Sequence, residues 1–164
     1  YNGFIKMIHS AKHSIFIQTP YFIPDEGIMT ALKLAALSGK DVRIMIPSRA
    51  DSVITHLGSL SYLSELMEAG VKIYLFEKGF LHAKMLVSDD FLSTVGSTNI
   101  DFRSFEHNFE VNAFLYGREP ALVLKELFLR DQRDASLLHP KSWNKRPWYQ
   151  KVLESVIRLF APLL

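Results

Sequence analysis

Short apolar stretches rich in β-branched residues alternate along this chain with longer stretches whose apolar residues recur at helical spacing. The short stretches cover residues 14–19, 41–46 and 71–76, and amphipathic segments separate them. Strands that alternate with helices in this way favour a sheet covered by helices on both faces. Because the chain has 164 residues, of which 48% are hydrophobic, it can bury one core. The sequence therefore predicts a single α/β domain over residues 1–164.

The clearest chemistry lies in the segment FLHAKMLVSDDFLSTVGSTN, which follows the third apolar stretch. His82 and Lys84 are two positions apart, so on a strand their side chains would project from the same face and could reach one substrate group. An imidazole can act as nucleophile or as general acid and base near neutral pH. An ammonium neutralises charge on the non-bridging oxygens of a phosphoryl group. The pair therefore predicts phosphoryl chemistry.

A β-hairpin is predicted immediately after this pair. Its strands are the apolar residues 85–87 and 91–95, and its turn is residues 88–90. The second strand ends in the sequence GSTN, whose glycine lets the backbone approach a ligand closely. Ser97 and Asn99 in that sequence offer short polar groups to phosphate oxygens, which predicts a phosphate-binding loop.

Polar and apolar residues then alternate over residues 108–115. This pattern predicts a half-polar strand whose polar face lines the site. Glu110 lies on that polar face, and its carboxylate could orient the imidazole of His82.

Two loops upstream carry further candidates. Tyr21 and Phe22 follow a predicted strand at its carboxyl end, where open α/β sheets tend to place ligands. They could line a lipid entrance, or they could simply pack in a strand-to-helix connection. Arg49 in the next such loop could reach a phosphate, and the alternative is an ordinary surface arginine.

An ordered pattern joins the hairpin residues, H-x-K-x4-D-x6-G-S-x-N, and it closely resembles the signature of the phospholipase D superfamily. The pattern is carried by six residues: His82, Lys84, Asp89, Gly96, Ser97 and Asn99. A match at six fixed positions arises by chance with a probability on the order of 10⁻⁶ in a chain of this length. The segments TPYFIPDEG, GSTNIDFRSFEHNFEVNAFLY and SWNKRPWYQKVLESVIRLFAPLL further resemble the C-terminal half of bacterial cardiolipin synthases, over nearly the whole chain.

This resemblance implies a phospholipase D-like domain with a mixed β-sheet, and a transferase that makes cardiolipin and glycerol from two phosphatidylglycerols. It implies a phosphohistidine intermediate that forms without a metal or cofactor. By the same resemblance, His82 belongs to the second of two motifs and acts as general acid and base rather than nucleophile. Lys84, Ser97 and Asn99 would hold the phosphate, and Glu110 would hydrogen-bond the catalytic imidazole.

Asp89 belongs to the signature, but its position predicts a structural role. It lies seven residues after His82, which is the opposite strand parity, and beyond the predicted turn. We therefore expect Asp89 to stabilise the fold without touching the substrate.

The chain contains the full pattern H-x-K-x4-D once, at His82, Lys84 and Asp89, where the resemblance implies two copies. Either the chain is the C-terminal half of a longer enzyme, as its start at Tyr1 also suggests, or two copies pair, as single-motif nucleases of the superfamily do. The partners are then phosphatidylglycerol, a membrane surface, and either the N-terminal half or a second copy. The alternative function is a homodimeric phosphodiesterase or nuclease, but a nucleic acid is disfavoured because the catalytic stretch is not notably basic.

The C-terminal part predicts an amphipathic helix at about residues 147–160, which either packs on the domain or lies in a membrane interface. Core packing is the preferred interpretation because ordinary globular helices show the same apolar stripe. From Arg118 onward nine basic residues face five acidic ones, a net charge of +4 that suits anionic lipid, nucleic acid or plain solvent. The resemblance implies a bacterial cell membrane, with the catalytic domain on the cytoplasmic side.

Ligand chemistry is limited by composition. The chain has no cysteine, which excludes disulfides and thiolate metal sites. No cluster of His, Asp and Glu has a recognisable ligand spacing, so no metal and no cofactor are predicted.

Overall fold

A computed structural model of the chain describes residues 1–49 and 51–161. Strands and helices alternate through most of it, and helices close the chain. In chain order the elements are α1 (Asn2–Ser10), β1 (Ser14–Gln18), β2 (Phe22–Ile23), α2 (Glu26–Leu37), β3 (Asp41–Pro47), α3 (Val53–Leu60), α4 (Leu63–Glu68), β4 (Lys72–Phe76), β5 (Met85–Ser88), β6 (Leu92–Gly96), β7 (Ile100–Asp101), α5 (Phe102–Glu106), β8 (Asn112–Tyr116), α6 (Arg118–Asp131), a 3₁₀ turn (Gln132–Asp134), β9 (Ala135–Leu137), α7 (Pro140–Trp143) and α8 (Trp148–Leu159).

Seven strands form the main sheet, in the order β8-β6-β5-β1-β3-β4-β9. The β1, β3 and β4 strands are parallel to one another, whereas β5, β6, β8 and β9 each pair antiparallel with their neighbours. The predicted hairpin is β5–β6, with Met85 opposite Val95. A separate short parallel pair joins β2 to β7.

Alternate residues of the strands face two apolar cores. Ile15 and Ile17 of β1 point into the larger core, which α1, α2 and α4 cover. Phe16, between them, points to the other face, where it stacks on Phe128 of α6 with ring centroids 4.9 Å apart. This arrangement confirms the predicted α/β fold with a mixed sheet and helices on both faces.

One predicted boundary differs from the structure, and two other segments contain short elements. The half-polar strand expected to start at residue 108 is paired only from Asn112. The segment between the second and third apolar stretches forms two helices, α3 and α4, and residues 137–145 contain the end of β9 and all of α7. These elements are short, and their limits are set by pairing and packing rather than by local pattern.

Helix α8 lies where an amphipathic helix was predicted, but the preferred packing of its apolar side was wrong. Val152, Val156 and Leu159 are exposed, and Glu154 is the one residue of this helix that is buried. The reason is an ion pair between Glu154 and Arg146, which draws the polar side of the helix inward. None of the helices described is both long and apolar enough to cross a membrane.

Asp89 occupies the turn between β5 and β6, where it has a positive φ of 55°. Its carboxylate accepts three backbone N–H groups of the α1–β1 connection, from Lys12, His13 and Ser14, each at 2.8 Å. Burial would raise the pKa of Asp89, but these hydrogen bonds hold the pKa below its ordinary value. The carboxylate thus fastens the chain's first loop to the hairpin, at the sheet edge opposite His82.

We expect Asp89→Asn to lower the free energy of unfolding by about 1–3 kcal/mol, because an amide oxygen cannot replace a carboxylate that accepts three bonds. Since the folded-state pKa is lowered, the stabilisation is present above the ordinary pKa of about 3.9 and is lost as the pH falls through the folded-state value. Chemical denaturation at several pH values measures this. Asp90→Asn, which breaks a surface ion pair with Lys125, is the control and should cost less than about 1 kcal/mol. Equal losses in the two variants would contradict the prediction.

Candidate active site

The predicted site residues meet at one edge of the main sheet. The parallel strands β1, β3 and β4 and the strand β6 end at this edge, and β5 and β8 begin there. The edge therefore collects the loop residues 19–21, 48–49, 51–52, 77–84, 97–99 and 109–111. Carboxyl ends of parallel strands are where open α/β sheets bind ligands.

His82 and Lys84 precede β5 rather than lying on it, so the strand placement expected for them was wrong. Pairing continues one step beyond the strand, because the Gly96 N–H donates to the Lys84 carbonyl at 3.2 Å. The Lys84 ammonium folds back and donates to the His82 carbonyl at 2.9 Å. The His82 ring is exposed and stacks on Phe80, with centroids 5.4 Å apart. The two residues thus lie together at this edge without regular strand geometry, joined by the bond from the Lys84 ammonium to the His82 backbone.

Gly96 allows β6 and β8 to approach closely at the site. A Cβ at this position would overlap the backbone carbonyl oxygen of Val111 and the side chain of Asn112. The Asn112 amide oxygen instead accepts the Thr98 hydroxyl at 2.7 Å. The glycine of the signature therefore has a steric role, which is to make room for the strand that follows Glu110.

Ser97 bonds to the same neighbouring segment. Its hydroxyl oxygen accepts the Val111 N–H at 2.9 Å, and its own N–H donates to the Val111 carbonyl at 2.9 Å. The loop and the start of β8 are thus connected through backbone groups. Because the Ser97 side chain is exposed, its hydroxyl can still face a ligand from this position.

Asn99 lies near the buried carboxyl group of Asp101, a residue that was not predicted to belong to the site. The Asn99 backbone N–H donates to the Ser104 hydroxyl at 3.3 Å, while the Asn99 amide oxygen is buried without a partner among the described residues. Asp101 caps α5 by accepting the Ser104 N–H at 2.7 Å. Burial raises the pKa of Asp101, and the nearby Glu110 raises it further.

Lys84 lies among carboxylates. Burial lowers the pKa of its ammonium, whereas Glu110, Asp101 and Asp51 act in the opposite direction. Glu110 accepts the Asn108 amide at 3.2 Å, and within the described ranges it makes no hydrogen bond to His82. The expected Glu110–His82 contact is therefore absent from this arrangement, and Glu110 acts on Lys84 through charge.

A cleft of about 740 Å³ is lined by Phe80, the residue whose ring stacks on His82. Its lining also includes Arg49 and Asp51, so the arginine that could reach a phosphate does border this cavity. Tyr21 donates its hydroxyl to Asp51 at 2.7 Å, and burial together with this bond raises the pKa of Tyr21 to about 12. Phe22 is fully buried in the core, which excludes it from any lipid entrance.

The part of the chain that the structure describes contains no group of side chains arranged to bind a metal ion. No three His, Asp or Glu residues there are placed to hold one ion.

Known structures share this fold. The phospholipase D family member Nuc from Salmonella typhimurium superposes with a TM-score of 0.71 and 23% identity, over 84% of this chain and 90% of that chain. NucT from Helicobacter pylori gives 0.70 and 25%, over 84% and 89%. The phosphatidylserine synthase of Haemophilus influenzae gives 0.74 and 17%, over 97% of this chain and 41% of that chain. The fold is that of phospholipase D-like proteins.

Sequence comparison specifies the family. The family described as "Cardiolipin synthase, PLD-like domain" matches residues 4–132, and the chain belongs to it. A cardiolipin synthase of Geobacillus kaustophilus is 52% identical over 98% of the chain, and one of Listeria monocytogenes is 47% identical over 99%. These alignments cover 32% and 34% of the relatives, so the chain spans about a third of their length. The resemblance read from the signature is thereby confirmed.

Three residues of the site were not selected from the sequence. Asp101 belongs to the quoted segment GSTNIDFRSFEH, and an acidic residue two positions after the signature asparagine was a usable signal. Asp51 and Phe80 gave no such signal, because their roles depend on loops that only the folded sheet brings together.

We expect Gly96→Ala to lower the free energy of unfolding by about 1–3 kcal/mol, because the new methyl group would push β8 away from β6. Chemical denaturation of the chain measures the loss. Adding Asn112→Ala should not restore stability, because the Val111 carbonyl belongs to the backbone and stays in the way. An unchanged unfolding midpoint for Gly96→Ala would contradict the steric role.

Proposed function

We propose that this chain provides one half of the catalytic centre of a cardiolipin synthase-type phosphatidyltransferase. The observation that carries the proposal is the meeting of His82, Lys84 and the loop at residues 96–99 at one sheet edge, in a chain of the cardiolipin synthase family. The substrate is phosphatidylglycerol, and the products are cardiolipin and glycerol.

The reaction is a double displacement. A histidine nitrogen attacks the phosphorus of one phosphatidylglycerol, the P–O bond to the headgroup glycerol breaks, and that glycerol leaves with a proton. The hydroxyl of a second phosphatidylglycerol then gives up its proton and attacks the phosphohistidine, which breaks the P–N bond and forms cardiolipin. Each displacement requires a proton donor or acceptor within hydrogen-bond reach of the moving oxygen.

We assign His82 to that proton transfer, and a histidine outside this chain to the nucleophilic step. The exposed ring of His82, stacked on Phe80 at the cleft, is accessible to a leaving alcohol. Lys84 would bind the non-bridging oxygens with Ser97, and Asn99 would join them by turning its amide from Asp101. Glu110 would balance the charge of Lys84, and Asp89 would support the fold alone.

A second H-x-K-x4-D motif must come from elsewhere, because this sequence has one complete copy; the pair His139 and Lys141 lacks the aspartate, since Arg146 stands in its place. The curated relatives are about three times as long as the aligned region. This length supports a partner motif within the same longer protein, the enzyme acting at the cytoplasmic face of a bacterial membrane. A second copy of this domain is the alternative source.

The test is a chimera in which this chain replaces the stretch it matches in the Geobacillus kaustophilus enzyme. With labelled phosphatidylglycerol in detergent and a chelator present, we expect cardiolipin and glycerol. His82→Ala should reduce kcat by about 10²–10⁴-fold, and Lys84→Ala should reduce kcat/KM by about 10²–10³-fold. His139→Ala, an exposed histidine before α7, is the control and should not change turnover. Retained activity in the His82 variant would refute the assignment.

The role of His82 can be separated from that of a nucleophile by the leaving group. A phosphodiester that releases p-nitrophenolate needs no proton on its leaving oxygen, so a variant without the general acid should recover most of its first-turnover rate. We expect this recovery in the His82→Ala chimera. No release of p-nitrophenolate in that variant would identify His82 as the nucleophile.

A second candidate function is hydrolysis by a pair of identical chains. The single motif favours it, and so does the fit to Nuc over 90% of that chain. The chain alone would then cleave a simple phosphodiester at a rate that rises with the square of protein concentration at low concentration, because the active species is a dimer. A chain that is inactive alone but active in the chimera supports the transferase.

A further inference from the structure

Helix α8 presents its apolar side outward. Five large apolar residues along it, and Phe160 directly after it, are exposed: Trp148, Val152, Leu153, Val156 and Leu159. A helix with such a strong apolar side normally buries that side against its own domain. Here the domain covers the opposite side, so the apolar side is an unpartnered surface within the described residues.

Polar contacts attach α8 to the domain and fix this orientation. Arg146 pairs with the buried Glu154, and its guanidinium also lies over the ring of Trp143, 3.3 Å from the centroid. Arg158 pairs with Glu65 at 3.2 Å and lies 4.3 Å from the ring centroid of Tyr62. These contacts all fall on the side of the helix that faces α3 and α4. Rotation of the apolar side toward the core would break both ion pairs and leave the largely buried Arg146 without its partner.

The charge around this surface has one sign. From Pro140 to Ala161 the chain carries five basic residues, and its one acidic residue, Glu154, is buried and paired. Lys141, Lys145 and Lys151 are exposed and form no ion pair within residues 1–49 and 51–161. An apolar stripe flanked by unpaired lysines complements an anionic lipid surface, where each lysine contributes about 1 kcal/mol.

We propose that α8 docks this domain onto an anionic bilayer by lying in the plane of the interface, with Trp148 and Tyr149 at the level of the headgroups. Twelve residues give a helix of roughly 18 Å, whose apolar side chains would enter the acyl boundary. The proposal concerns a surface distinct from the catalytic centre and does not rest on the proposed function. Helix α8 packs on α3, and α3 begins directly after the loop that lines the cleft at Phe80. Docking by α8 would therefore bring the cleft close to lipid.

The two tryptophans allow a direct test. Trp148 is 75% exposed, whereas Trp143 is 8% exposed and donates its indole N–H to Ser64. The probe is a phosphatidylcholine vesicle that contains brominated acyl chains and is made anionic with cholesteryl hemisuccinate, so its negative charge does not come from the proposed substrate phosphatidylglycerol. We expect the fluorescence of the chain to be quenched, and Trp148→Phe to abolish the quenching.

Paired variants measure the contribution of the apolar side. Val152→Glu with Val156→Glu places two carboxylates on it, and vesicle co-sedimentation should fall about tenfold or more. The matched control is Val123→Glu with Leu129→Glu, which makes the same charge change at exposed positions of α6, on the other face of the sheet. The control also adds two carboxylates, which weaken binding to an anionic vesicle electrostatically. Apart from that electrostatic loss, its vesicle binding should stay within about twofold of that of the native chain. Neutral vesicles or high salt should weaken native binding.

Three results would overturn the proposal. One is persistent quenching in Trp148→Phe, and another is an equal loss of binding in the α8 and α6 pairs. The third is a native chain that ignores anionic vesicles but forms dimers in solution that the α8 pair dissociates, which would assign the surface to a second copy. Circular dichroism and melting of each variant, unchanged because the substituted side chains are exposed, confirm that the comparison is between folded proteins.

Discussion

The antiparallel pairing of β1 with β5 is the constraint on which the rest of this structure depends. Three parallel strands end at one edge of the sheet, and a fourth parallel strand in place of β5 would carry its N-terminal segment to the opposite edge. Because β5 runs the other way, the His82–Lys84 segment enters at the edge where the β1, β3 and β4 loops leave. Asp89 secures the far end of the hairpin by binding three N–H groups ahead of β1. One signature motif therefore supplies both the His82–Lys84 pair and the carboxylate that fastens the hairpin to the start of β1.

The middle of the chain was predictable because its signals are local. Strands β1, β3 and β4 were found from apolar stretches within one or two residues of their observed limits, and the β5–β6 hairpin from its turn. The grouping of His82, Lys84, Ser97 and Asn99 followed from one ordered pattern, which is unusually specific. For these residues, spacing along the chain already encodes proximity in space.

What the sequence did not predict depends on long-range contacts. The cleft of about 740 Å³ combines Arg49 and Asp51 with Phe80, from loops that follow different strands. The Tyr21–Asp51 bond spans thirty residues. The pKa of Asp101 is raised only because folding buries its carboxyl group near Glu110. Alternation predicted a strand from residue 108, yet regular pairing begins at Asn112, after the loop at residues 97–99 has bonded to Val111. Side-chain bonds that compete with strand pairing give no periodic signal.

Helix α8 shows where a periodic signal is incomplete. Its apolar stripe predicted a helix, and the helix is there, but periodicity describes only how residues are distributed around an axis. Which side faces inward is decided by the neighbouring residues. Here Glu65 of α4 forms an ion pair with Arg158, and Tyr62, directly before α4, packs its ring against the Arg158 guanidinium. The buried Arg146–Glu154 pair reinforces that choice, because breaking it would leave a charge without compensation inside the protein. These ion pairs thus attach α8 to the domain, while the apolar side of the helix stays exposed.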